Sequence, residues 1–478
     1  MQRRTKIVAT LGPATDDDDV LSEMCRAGLD VARINLSHGS QADHLRRLGK
    51  LREAAARAGR CVGALFDLAG PKIRIESFGE GRVQLIEGAE FTLDTALDPG
   101  AGTVDSVGVA YKELTADVVA GDTLLLNDGL LVLEVLELRG SRIRTRVAVG
   151  GELSNRKGVN RKGGGISAPA LTDKDREDIR FVAAQGADYV ALSFVRDAED
   201  IHLARRLLRE AGGGDVRIVA KIERHEAVAQ LTGIIDAADA LMVARGDLGV
   251  EMGYAALTGL QKNIIRQARH RNRVVITATQ MMESMIQSPV PTRAEVSDVA
   301  NAVMDGTDAV MLSAETAAGK HPVKAVAAMA DVIVGAESYQ ITQHRPRERA
   351  GVIFTQTEEA IANAVMYTAN HMSVRAIVAL TESGATPLWM SRLRSDIPIY
   401  AFTRHDRTRR RVTLYRGVQP VTFDVTPGDP VALHDRVFAM LLDQNLVDEG
   451  DLVILTKGEL TGVQGGTNSM QIVQVTRP

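Results

Sequence analysis

The chain has 478 residues, 45% hydrophobic and 25% charged, with a net charge of −4. That length holds two to four domains. The balance gives no bulk drive toward nucleic acid or an anionic membrane, and 4% aromatic residues leave little to stack on single-stranded bases. No apolar run reaches membrane-spanning length. The opening Met1–Thr10 runs directly into a strand without a secretory apolar region, which leads to the expectation of a cytoplasmic protein. Cys25 and Cys61 are the only cysteines and read as reduced, packed thiols.

In chain order, eight short apolar runs recur, most followed by a helical pattern: Lys6–Gly12, Val31–Ser37, Cys61–Ala69, Tyr189–Val195, Ile218–Glu223, Ala240–Gly246, Val274–Gln280 and Ala309–Glu315. Strand alternating with helix predicts a parallel sheet, and eight such units predict an α/β protein built on a (β/α)8 TIM barrel. Nearly every run ends in polar residues, among them Asn35, Ser37, Asp67, Ser193, Lys221, Glu223, Arg245, Asp247, Thr277, Thr279, Gln280, Ser313 and Glu315. In such barrels the site lies at the C-terminal ends of the strands, so the runs agree on one location.

After Asp67 the pattern turns to β-type. Val83–Ile86, Glu90–Leu93, Thr123–Leu126, Leu130–Leu138 and Arg142–Ala148 read as strands, and Asn127-Asp-Gly129 as a hairpin signal. No convincing long helix is predicted until about Thr172. Residues 71–168 therefore read as an inserted β-barrel domain on a strand-end loop, placed as a lid. It divides the barrel into 1–70 and 169–345, and a separate C-terminal α/β domain fills 346–478, beyond Arg345-Pro-Arg-Glu-Arg349. Within that last domain Glu358–Met372 and Asp429–Leu446 read as helices. Val374–Leu380, Ile397–Thr403, Val418–Phe423, Leu452–Leu455 and Ile472–Val475 read as strands.

The chemistry concentrates at three places. Val219, Lys221 and Glu223 recur at every second residue, so a strand aims them one way, and Arg245 and Asp247 share a face for the same reason. Two carboxylates on adjacent strands suit a hard cation, and a lysine beside them suits a phosphoryl group in transit. A buried ion-pair network is the alternative, though buried charge without function is costly. Arg33, Asn35 and Ser37 share a second face that fits phosphate and a cation, while an Asn or Ser there also serves as a helix cap. Thr277-Ala-Thr-Gln280 precedes a helix expected near Met281, where hydroxyls and free N–H groups either bind an anion or only cap. In the C-terminal domain Thr381-Glu-Ser-Gly-Ala-Thr386 joins strand to helix and reads as a phosphate nest. Arg404, Arg407 and Arg409–Arg411 follow the next strand, either as a solvated face or as phosphate ligands.

Taken together the residues resemble one family, pyruvate kinase. The likeness is carried by Thr5–Pro13, Val31–Gly39, Ile218–Arg224, Met242–Glu251, Val275–Ser284, Pro291–Asn301 and Asp305–Thr316, and it spans essentially the whole chain. It implies phosphoryl transfer from phosphoenolpyruvate to ADP, giving pyruvate and ATP in glycolysis. Carried over, Glu223 and Asp247 hold Mg²⁺ (or Mn²⁺), and Lys221 stabilises the phosphoryl group with help from Arg33. The N–H groups of Gly246 and Asp247, with the Thr279 hydroxyl, bind the substrate carboxylate. Asn35, His38, Arg74 and Lys174 resemble nucleotide contacts. The proton for the enolate comes from Thr279 or from a water relayed through Ser313 and Glu315. A homotetramer is implied as well.

One departure is informative. Asp67-Leu-Ala-Gly-Pro-Lys-Ile-Arg74 replaces the pattern of K⁺-requiring members, and with Leu68 and Ile75 it is similar to a K⁺-independent branch. The Lys72 ammonium is then expected to stand in, near Asp67, for the K⁺ that Asn35, Ser37 and Asp67 hold elsewhere. The alternative is a solvent-facing Lys72 with K⁺ still bound. Asn160-Arg-Lys-Gly-Gly-Gly165, Ala314 and Met252–Thr258 resemble a bacterial subgroup that responds to AMP or sugar monophosphates. This would assign the effector to Thr381, Glu382, Ser383, Gly384 and Thr386. Two rivals remain open. One is a barrel enzyme that makes or breaks C–C bonds through a metal-held enolate, and the other is a non-catalytic phosphometabolite sensor.

Overall fold

In the computed structural model, residues 2–343, 354–393, 395–424, 430–458 and 466–477 are described. The eight apolar runs form strands β1 (Lys6–Leu11), β2 (Val31–Asn35), β3 (Gly63–Asp67), β4 (Tyr189–Leu192), β5 (Arg217–Ile222), β6 (Ala240–Ala244), β7 (Val274–Ala278) and β8 (Ala309–Leu312). They close a barrel in sequence order, with β8 paired back onto β1. The pairing is parallel where β1 meets β2 and β8, with Thr10 opposite Arg33 and Lys6 opposite Ala309. Every residue of β1, β3, β4, β6, β7 and β8 is buried, as a parallel sheet covered on both faces requires.

Each strand stops one to three residues before the end of its apolar run, which corrects the expected boundaries. Arg245 and Asp247 do not extend β6; they open the helix Arg245–Met252. Glu315 likewise lies in the helix Ala314–Ala317. After β7, Thr279 and Gln280 take φ values of 78° and 55°, and the helix expected near Met281 begins as a 3₁₀ turn at Glu283–Ile286.

The segment between β3 and β4 carries a six-stranded sheet and a two-stranded antiparallel pair. Five of its strands fall within a residue or so of the reading above; Ser106–Gly108, Gly151–Ser154 and Val159–Arg161 add to them. Its inward residues, such as Phe78, Phe91, Leu93, Leu124, Leu133 and Ile143, form a core of their own. Asn127 and Asp128 have φ of 51° and 56°, and Leu126 pairs with Leu131, so the Asn-Asp-Gly hairpin forms as expected. A five-stranded sheet follows in the order Val418–Thr422, Ile399–Thr403, Ala376–Leu380, Leu452–Gly458, Thr467–Gln474, parallel except for the last strand. The expected boundary at 345 and the start of the helix at Asp429 lie outside the described residues.

The chain separates into two compact units, one of 1–66, 187–189 and 265–478, the other of 67–186 and 190–264. In the first, β1 is anchored by Glu337, whose carboxylate accepts from the Arg4 and Thr5 N–H groups at 2.9 and 2.7 Å. Lys6, buried, donates to the Val418 carbonyl at 2.6 Å.

Candidate functional site

A dense cluster of charge lies in the second unit, at the C-terminal ends of β5 and β6. Their parallel register sets Lys221 beside Met242. Lys221 Nζ lies 2.9 Å from Glu223 Oε1 and 3.4 Å from Asp67 Oδ1, and donates to Ser193 Oγ at 2.7 Å. The side chains of Asp67 and Glu223 are only 1% and 2% exposed, so these ions are held almost out of water. Glu223 Oε2 accepts the Phe194 N–H at 2.6 Å. Phe194 has φ of 56°, a strained value for an aromatic residue, and this backbone orients its N–H toward the acid. Burial pushes the Glu223 carboxyl up, Lys221 opposes the shift, and the neighbouring Asp247 charge adds to it.

Asp247 stands in the first turn of its helix, where the N–H groups of Gly246 and Asp247 belong to the unpaired helix start. Lys72 Nζ lies 3.1 Å from Asp247 Oδ1 and 4.0 Å from Asp128 Oδ1. The Lys72 ammonium thus pairs with Asp247, while Lys221 lies by Asp67. No group of three or more His, Cys, Asp or Glu side chains stands ready for a metal among the described residues. Glu223 and Asp247 nevertheless fit a divalent cation, because the Asp247 charge helps to raise the Glu223 carboxyl and a cation between them would offset that repulsion. Oxygens of substrate and water would have to complete the shell.

In the first unit, Arg33 Nη1 donates to Thr10 Oγ1 at 3.1 Å across the β1–β2 pair. Asn35 Oδ1 accepts the Ser37 N–H at 3.1 Å, a local turn bond, and Ser37 and His38 are exposed. Thr277 is fully buried and donates to Thr307 Oγ1 at 2.9 Å, so it belongs to the core. Thr279, by contrast, is half-buried on its strained backbone. Glu315 accepts the N–H groups of Ser313 and Met282 at 2.6 and 3.2 Å. Burial pushes its carboxyl up against those bonds. Glu315 therefore braces the backbone around Ser313.

The four nucleotide candidates divide between the units. Asn35 and His38 belong to the first, Arg74 and Lys174 to the second. Arg74 donates to the Arg156 carbonyl at 2.9 Å, and Lys174 pairs with Asp178 one helical turn on.

The Thr381–Thr386 loop is largely bonded within itself. Thr381 Oγ1 accepts the Gly384 N–H at 2.9 Å, and Ser383 Oγ the Ala385 N–H at 3.4 Å. Thr386 is buried against Thr467, 2.6 Å between hydroxyls, and the Glu382 carboxylate meets His405. Of the arginine run, Arg409 pairs with Asp406, while Arg410 reaches the fully buried Asp188 at 2.8 Å. Asp188 also binds Arg52 and the Ala64 N–H, so Arg410 ties its helix to the bases of β3 and β4.

Sequence reasoning gave no role to Ser193 or to the Phe194 N–H. The polar end of the β4 run was the one signal for the first, and a backbone donor leaves none.

A family model described as pyruvate kinase, barrel domain, matches residues 2–326, and one described as pyruvate kinase, alpha/beta domain, matches residues 359–473. The chain is 55% identical over 480 residues to pyruvate kinase II of Salmonella typhimurium, covering 99% of both proteins. It is 50% identical to a pyruvate kinase of Haemophilus influenzae, over 95% of this chain and 96% of that one. A pyruvate kinase of Buchnera aphidicola is 47% identical over 99% of each.

Proposed function

The chain belongs to the pyruvate kinase family, and from that premise we propose that Lys221, Glu223 and Asp247 carry the family's transfer of a phosphoryl group from phosphoenolpyruvate to ADP. The observation that supports this best is the Lys221 ammonium, 2.9 Å from Glu223 and 3.4 Å from Asp67 among nearly dry acids. A transfer of this kind needs positioning and charge neutralisation more than covalent help. Lys221 neutralises the phosphoryl oxygens as the bond to the enolate oxygen breaks, with Arg33 contributing a second cation. The family requires a divalent metal; Glu223 and Asp247 hold Mg²⁺ or Mn²⁺, which supplies Lewis-acid charge at the substrate oxygens. The Gly246 and Asp247 N–H groups and the Thr279 hydroxyl receive the substrate carboxylate. Thr279, or a water ordered by Ser313 under the Glu315 brace, delivers the proton to the enolate carbon.

Asn35, His38, Arg74 and Lys174 take the nucleotide. Residues 71–168 act as the lid that excludes water while ADP is phosphorylated, flanked by barrel segments 1–70 and 169–345. Residues 346–478 form the regulatory domain. Its loop at Thr381, Glu382, Ser383, Gly384 and Thr386 takes AMP or a sugar monophosphate. The enzyme works without K⁺, with Lys72 as the resident cation, as a homotetramer in the cytoplasm. No described helix is long and apolar enough to cross a membrane.

The test is pyruvate formation from phosphoenolpyruvate, ADP and Mg²⁺. Lys221→Met lowers kcat by a factor on the order of 10³ and leaves Mn²⁺ binding, read by electron paramagnetic resonance, within two-fold or so of wild type. Substantial surviving turnover would remove Lys221 from its role. A wild-type protein that binds sugar phosphates without turnover would be a sensor, and turnover that ignores ADP would point to a lyase.

A further inference from the structure

The insert returns to the barrel through Val159–Arg161 and then three glycines. Gly163, Gly164 and Gly165 have φ of 84°, 79° and 93°, a run in the left-handed region that other residues rarely sustain. The Glu226 carboxylate and the Glu251 backbone carbonyl grip this run. The Gly165 N–H donates to Glu226 Oε1, and the Gly163 N–H reaches the Glu251 carbonyl at 3.4 Å. A Cβ on Gly164 would lie 2.7 Å from Glu226 Oε1 and 3.0 Å from His225 Cβ, so the contact leaves no room for a side chain. The Glu251 carboxylate accepts the His225 N–H at 2.9 Å and a bond from Asn160 of the returning strand. The other Glu226 oxygen is buried and meets no donor. Arg196 and Arg224 are the cations that face this pair of acids. Glu226 follows Glu223 by three residues and Glu251 follows Asp247 by four, so the acids that hold the hinge share segments with the acids assigned to the metal.

We infer that Glu226 and Glu251 are positioning residues that latch the Gly163–Gly165 hinge, so that closure of the insert is coupled to the segments bearing Glu223 and Asp247. The inference rests on the reading of residues 71–168 as a lid. Neither acid needs to touch substrate. Their effect passes through the returning strand, and it should be felt in nucleotide capture more than in the binding of phosphoenolpyruvate.

The test compares full-length wild type, Glu226→Ala and Glu226→Gln by amide hydrogen exchange over residues 158–166 and by steady-state kinetics. Alanine removes the acceptor and raises exchange at Gly165 about ten-fold or more, while glutamine keeps an acceptor oxygen and stays near wild type. In the alanine variant KM for ADP rises roughly five-fold or more with KM for phosphoenolpyruvate nearly unchanged, a split that general destabilisation would not produce. Unchanged exchange in Glu226→Ala overturns the latch. Faster exchange with an unchanged KM for ADP overturns its coupling to the site, and equal loss in both variants overturns the role of the acceptor oxygen. A wild type without turnover would defeat the transferase reading alone, since the exchange comparison does not depend on activity.

Discussion

At the scale of single residues, burial changes what an acid contributes at different pH. Glu251 is 6% exposed, and burial pushes its carboxyl up to about 7, against the His225 N–H bond and Arg224. The folded value lies above the unfolded one, so its contribution is intact below about pH 4.5 and is lost as pH rises through about 7. A shift of that size corresponds to about 3 kcal/mol. Glu251→Gln keeps an acceptor for His225 and does not titrate. In urea unfolding it should be the more stable protein at pH 8, by about 2–3 kcal/mol, with the gain mostly gone at pH 5. A gain that is equal at both pH values would show that the carboxyl is not perturbed. The pair Lys221 and Glu223 was legible in the sequence because the two recur at alternate positions of one apolar run, although β5 itself ends at Ile222. Ser193 and Lys72 were not assigned to their partners, because those contacts join residues 28 and 175 positions apart. Such pairings are fixed by barrel register and by the course of the insert, which local periodicity does not record.

At the scale of elements, all eight barrel strands were readable from apolar runs, and all eight runs overshot at their C-terminal ends. The reason is physical. Where a strand ends at the barrel mouth the backbone must turn into a helix, and it does so within the polar residues that mark the site. Asp247 in a first helical turn and Thr279 at positive φ are both products of that turn. The N-terminal ends depend instead on buried anchors. Glu337 is fully buried, and although burial would raise its carboxyl, Arg416, Arg4 and the Arg4 N–H hold it low. Its acceptors serve the Arg4 N–H, the Thr5 N–H and the Thr5 hydroxyl, with Arg416 3.4 Å away. Glu337→Ala would strand these donors and cations in the interior, at about 3–5 kcal/mol. The measurable outcome is a lower urea midpoint with far-ultraviolet dichroism preserved in buffer. Added salt should restore little, because the pairs are shielded from solvent. A loss below about 1 kcal/mol would mean that water enters and takes over the bonds.

At the scale of the whole molecule, the net charge of −4 says little about ions, yet the second unit sets a local balance that does. Asp67, Glu223 and Asp247 are met by two ammonium groups, Lys221 on the first two and Lys72 on the third. On the proposed reading, a divalent cation added between Glu223 and Asp247 leaves the cluster mildly positive, suited to a trianionic phosphoester, and the expectation is that no further monovalent ion is required. The Lys72 ammonium is tethered to the chain and lies 3.1 Å from Asp247, so its charge requires no binding equilibrium with free ions. Wild-type turnover measured in tetramethylammonium buffer should therefore match that in KCl within about two-fold. Lys72→Ala removes the resident charge, so its activity should drop by about ten-fold or more without K⁺ and recover at least partly when K⁺ is added. The pattern matters more than either rate. A wild type that depends on K⁺ would mean that Lys72 serves only to pair Asp247. A Lys72→Ala enzyme indifferent to K⁺ would mean that the lost charge is supplied by Lys221 or by the metal itself. Recovery by K⁺ in the variant alone would identify the ammonium as the built-in counterpart of a dissociable ion.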